Sequence, residues 1–248
     1  MEPTRGGSAR LTARLAGGSY LLMLLSGGLA TFARRGLIVS GDAAATATNI
    51  VAHEAWFRVA YAGDLLVVVF YLAVPALFYE LFKPVNRTVA LVAAFIGLAG
   101  CISQGSAGLF ELAPTVVLGG APYLKVFSVE QLQALAYLFL KLYSQAYSIS
   151  LVFFAFYGLL IGYLIFRSTF LPRVLGVLMM VGGLSWMAFL SPPFGAKYLY
   201  PYLLAGGIGE GLLFLWLLVA GVNAERWTEQ ASAAAASLLA ESACSVLR

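Results

Sequence analysis

Histidine occurs once in this chain, cysteine twice, and charged residues make up only 10% of it. A single histidine, His53, excludes a multi-histidine metal or haem site. His53-Glu54 opens like a zinc-protease HExxH motif, but Phe57 stands where the second histidine belongs. Cys101 lies in an apolar run and Cys244 in the polar tail, so neither a structural disulfide nor a thiolate metal set is expected. Glycine-rich phosphate loops, Ser/His/Asp sets and cysteine pairs are absent from the sequence. These gaps predict no cofactor, no metal and no catalytic residue of a familiar kind. The formal net charge of +4 does not point to nucleic acid, because the basic residues stand singly at the ends of apolar runs. No basic stripe with interleaved aromatics exists to track phosphates.

What the chain has in abundance is apolar sequence: 61% of its 248 residues are hydrophobic. Its mean hydropathy is +0.89, and soluble domains carry about 25% charge. The expected fold is all-α: a polytopic membrane protein with a bundle of six transmembrane helices of roughly bilayer length. The spans are read at about 15–33, 59–82, 88–112, 134–166, 174–190 and 200–223. Residues 1–13 read as a polar cytoplasmic N-terminus, 14–223 as the transmembrane domain and 224–248 as an alanine-rich cytoplasmic tail. The first span reads as an uncleaved anchor.

Between spans one and two, Asp42 is a good N-cap for AAATATNIVAHEAWF. This predicts a short outer-surface helix, with Trp56 and Phe57 anchoring its end at the interface. Arg58, four residues after Glu54, is placed to neutralise it. Lys83-Pro84-Val85-Asn86-Arg87 reads as a tight basic turn. Ser128 with Gln131 makes a capping box. From there to Phe166 no proline interrupts a helix of roughly 57 Å, nearly twice the hydrocarbon core. Span four therefore either projects outward or breaks near Lys141. Tyr198, Tyr200 and Tyr202 read as an aromatic belt. Nine lysines and arginines fall on the side of the termini and six, Arg34 and Arg35 among them, on the other. The count places both termini in the cytoplasm.

The polar groups inside this apolar sequence are the candidate site. Glu210 stands near the middle of Tyr200–Asn223, where a lipid-facing carboxylate costs about 2.5 kcal/mol or more. It should turn inward. Gly206 and Gly207, four and three positions before it, offer a small face for a neighbouring helix. Gln104 and Glu111 are seven apart on one face of span three, and Lys141 and Gln145 four apart on one face of span four. With Asp64, they would line one outward-facing vestibule in which three carboxylates share one lysine. Each has a plainer reading: Lys141 snorkels to the interface, Asp64 and Glu111 touch water near their span ends, and Glu210 holds a neighbouring helix. Arg87 and Arg173 read as topology signals, with anionic lipid contact as their second reading.

Several motifs occur in order: Arg14-Leu-Ala-Gly, Gly41-Asp-Ala-Ala-Ala-Thr-Ala, Phe57-Arg58, Lys83-Pro-Val-Asn-Arg87, Gly162-Tyr-Leu-Ile-Phe-Arg-Ser168, Leu171-Pro-Arg-Val-Leu-Gly176, and Gly209-Glu210 before Leu215-Trp-Leu-Leu. In these the chain resembles the bacterial "domain of unknown function 4386" family of integral membrane proteins, from about Thr12 to Trp227. The resemblance implies a multi-pass protein of a bacterial inner membrane and brings no activity with it. The functional expectation is a protein that binds or moves a small molecule, lipid or proton through the vestibule to Glu210. The transport form of this reading calls for a homo-oligomer, because 248 residues is small for a secondary transporter. The alternative is a structural or regulatory subunit whose polar groups hold helices or partners together. An intramembrane acid–base enzyme is the least favoured.

Overall fold

The computed structural model describes residues 3–191 and 207–246. It is all-helical, 87% helix, with no strand among the described residues. The helices are α1 Pro3–Arg34, α2 Ala43–Ala52, α3 Glu54–Phe82, α4 Arg87–Val117, α5 Val129–Arg167 and α6 Arg173–Trp186. They are followed by α7 Gly207–Val219 and α8 Ala224–Val246. Short 3-10 turns follow α4 (Pro122–Val126) and α6 (Met187–Leu190). Five helices are long and apolar enough to cross a membrane, and six crossings result if α7 and the start of α8, bent by 101°, count as one broken span. The chain is a multi-pass membrane protein. The belt residues Tyr198, Tyr200 and Tyr202, and Gly206, lie outside the described residues.

Helix boundaries follow from local chemistry. Asp42 caps α2 by accepting from the Ala45 amide at 2.8 Å. The chain then breaks at His53, and α3 begins at Glu54. The expected surface helix therefore stops short of Trp56 and Phe57, which belong to the long span. Phe57 is no interface anchor: it is fully buried in a cluster with Leu37, Ile50 and Leu140. Asn86 caps α4 through the Val89 amide at 3.0 Å. The Ser128–Gln131 box starts α5, with Gln131 Oε1 accepting from the Ser128 amide at 2.8 Å. α5 then runs unbroken for 39 residues, so span four does not break at Lys141. α1 begins well before residue 14, at Pro3, so the polar N-terminal stretch is helical even though Gly6 and Gly7 are poor helix formers. Arg58 Nε donates to Glu54 Oε1 at 2.8 Å, as the spacing predicts.

The chain forms two compact units. The first comprises Met1–Leu21, Leu72–Leu98 and Leu151–Arg248. Its core is aromatic: Tyr20 stacks with Phe214 at 6.5 Å between ring centres, and Phe82 with Phe170 at 5.9 Å. In this unit α5 and α6 touch backbone to backbone. A Cβ added at Gly176 would lie 2.6 Å from the Gly162 carbonyl, so only glycine permits the approach. The second unit comprises Leu22–Tyr71 and Ala99–Ser150, and holds α2 and the Phe57 cluster.

Candidate functional site

The polar centre of the second unit is built on Arg34, the last residue of α1. Its Nη2 donates to both Asp64 Oδ2 of α3 and Glu111 Oε1 of α4. Tyr143 of α5 donates its hydroxyl to Asp64 Oδ2 at 2.8 Å. The Arg34 guanidinium lies over the Tyr143 ring, 5.5 Å from its centre. The Arg34 and Asp64 side chains are each 21% exposed, and that of Glu111 only 1%. Glu111 Oε2 and Arg34 Nε are buried and meet no atom in hydrogen-bond geometry, though the Glu111 and Asp64 carboxyls lie within interaction range of each other. An unpartnered buried carboxylate oxygen is costly and marks a position where another group is expected to bind.

Such a position exists beside it. Asp64, Gln104, Glu111, Tyr61 and Tyr143 line a cavity of about 10 Å³, the lower bound for one water. Gly105 and Gly108 form its floor on α4. The seven-residue spacing of Gln104 and Glu111 does put both on it. Helix α1 comes close enough for Arg34 to reach α3 because Gly63 precedes Asp64. A Cβ there would sit 2.9 Å from Ala30 Cβ and 3.0 Å from the Ser26 carbonyl.

Two candidates from the sequence stand elsewhere. Lys141 and Gln145 are exposed, and the Lys141 ammonium lies 5.1 Å above the Tyr137 ring. The reason is helical register. α5 buries Ala136, Leu140 and Leu151, and Tyr143 belongs to that stripe, whereas Lys141 is two positions before it, on the far side. The cation that the carboxylates share is therefore Arg34, not Lys141. Arg34 and Tyr143 are the residues that sequence reasoning missed. An arginine on the side poor in positive charge was the available signal for the first; the periodicity of buried positions in α5 was the signal for the second.

Glu210 belongs to the first unit. It is half-buried in α7, within interaction range of Trp186 at the end of α6. The small face beside it differs from the expected one. Gly207 meets nothing within 4 Å, while a Cβ on Gly209 would lie 2.6 Å from the Leu178 carbonyl. Gly209, packed against α6, is thus the residue that lets the helices approach.

Compared with known proteins, residues 15–221 match the family described as "Domain of unknown function (DUF4386)". The match covers most of the chain, which therefore belongs to that family. No curated protein and no solved structure matches it.

Proposed function

We propose that this family member binds, and passes along, a proton or a small cationic group at the Asp64–Glu111 pair, from the outer face of a bacterial inner membrane. One observation carries the reading: Glu111 is fully buried, spends one oxygen on Arg34 and leaves the other unpartnered beside a cavity. The charge balance points the same way. With both acids ionised, two carboxylates share one guanidinium and one negative charge is left over. A proton, a monovalent cation or a ligand ammonium closes that balance, and a buried site strongly favours closing it. The cavity admits nothing larger than a water-sized group without rearrangement, so a proton or small ion fits better than an organic substrate. Ionisable groups within spans are expensive and for that reason usually functional. Glu210, near Trp186 in the other unit, is the candidate second acid.

A specific observation favours a structural reading beside it. Arg34 and its partners tie α1, α3, α4 and α5 together, which is what a scaffold subunit needs. Glu111→Gln separates the two, because it keeps the size and the acceptor for Arg34 and removes the charge. Purified protein is to be unfolded thermally in sodium, potassium, ammonium or choline chloride at fixed ionic strength. The same protein in vesicles with an entrapped pH dye reports proton flux. The binding reading expects one cation to raise the midpoint, or protons to flow, in the wild type and not in Glu111→Gln. Equal behaviour of the two proteins in every arm would refute it and leave the scaffold.

A further inference from the structure

The first unit carries a groove of about 600 Å³ that the acid–arginine cluster does not use. Its size is that of a small-molecule site. One wall is the turn between α3 and α4, with Lys83 and Arg87; another is α8, with Trp227 and Ala231; the third is the start of α1, with Ser8. The turn joins two membrane-crossing helices, so the groove lies where the lipid phosphates lie. Its charge is unevenly matched. Lys83 is paired with Glu80, but among the described residues no acid pairs with Arg87. The groove is also built rather than incidental: the Trp227 indole donates to the Leu81 carbonyl at 2.9 Å, pinning α8 across the end of α3. Small side chains on α8 and α1 then leave an opening instead of a packed contact.

We propose that this groove seats the phosphate of an anionic glycerophospholipid, held by Arg87 and Lys83, with the glycerol and chain roots on the alanine wall of α8. A basic residue near the membrane surface contributes about 1 kcal/mol toward an anionic lipid, about fivefold in affinity. Charge complementarity, hydroxyl donors from Ser8 and Tyr79 and position at the span ends favour a lipid over a protein partner.

Native mass spectrometry of the full chain in mild detergent, titrated with phosphatidylglycerol or phosphatidylethanolamine, tests the proposal. Wild type should retain phosphatidylglycerol in preference. Lys83→Gln/Arg87→Gln should weaken that retention at least about fivefold, the contribution of the unpaired Arg87, and Glu80→Gln, which frees Lys83, should strengthen it. Arg173→Gln, whose guanidinium lies over Phe166 outside the groove, should leave it unchanged. A parallel arm adds inorganic phosphate at millimolar concentration, which should not displace the lipid. Undiminished retention by the double variant overturns the proposal. So does equal retention of the two lipids. Displacement by phosphate overturns the lipid assignment in favour of a free-phosphate site.

Discussion

One guanidinium nitrogen serves two carboxylates here, so deleting Arg34 strands an almost wholly buried Glu111 and a partly exposed Asp64 with no cation. Breaking a buried pair from one side costs about 3 kcal/mol or more, whereas replacing all members by apolar groups is often neutral. Arg34→Leu should accordingly lower the thermal unfolding midpoint in detergent sharply, and Arg34→Leu/Asp64→Leu/Glu111→Leu should recover most of the loss. If the triple variant stays as unstable as the single one, the cluster is setting helix register and the desolvation argument fails. At this scale the sequence was half legible. Asp64, Gln104 and Glu111 are conspicuous because acids and amides are rare in an apolar chain, and helical spacing puts Gln104 and Glu111 on one cavity. Their cation was not conspicuous. An arginine at the end of an apolar run serves membrane orientation by default, and nothing local tells Arg34 apart from Arg35.

Among the helices, close approach is decided by which glycines meet a neighbour, a property that sequence spacing does not settle. Gly63 and Gly28 both lie within helices, yet only the first is crowded: its Cβ would press on Ala30 and Ser26, while at Gly28 nothing lies within 4 Å. Gly63→Ala should destabilise by about 1–3 kcal/mol through overpacking and shift α1 away from α3, loosening Arg34 from Asp64. Gly28→Ala should instead be neutral or stabilising by up to about 1 kcal/mol, through helix propensity. Thermal unfolding of the two variants side by side checks the contrast, and a Gly63→Ala protein as stable as Gly28→Ala would contradict the packing described. The same rule explains the unread parts of the helical pattern. Caps at Asp42 and Ser128 are local and were readable, whereas Asn86, read as a turn residue, also caps α4. Burial of Phe57, exposure of Lys141 and the role of Gly209 in place of Gly207 depend on which way each helix is turned, and that is set by tertiary packing.

For the molecule as a whole, composition alone gives the membrane class, because 61% apolar residues leave too little polar surface for a soluble domain. Sidedness rests on arithmetic of a different kind. α1, α3, α4, α5 and Arg173–Leu190 make five crossings. α7 turns through 101° into α8, and the two make a sixth crossing if they count as one broken span. Counted so, the even number returns the C-terminus to the side of the N-terminus, and the nine-to-six count of basic residues predicts that side to be the cytoplasm. In a Cys244→Ser background, with the remaining Cys101 buried, Ser128→Cys should react with a membrane-impermeant maleimide on intact cells. Ser237→Cys should react only after permeabilisation; both positions are exposed in the fold. Arg34 is the residue that makes this experiment informative, since it stands against the charge count. That labelling pattern would put Arg34 on the outer side, where an arginine working against the topology signal is explained by the two carboxylates it serves, and the proposed Asp64–Glu111 site would take its proton or ion from outside. The reverse labelling pattern would place Arg34 with the cytoplasmic arginines, remove the need for that explanation and turn the site to face the cell interior.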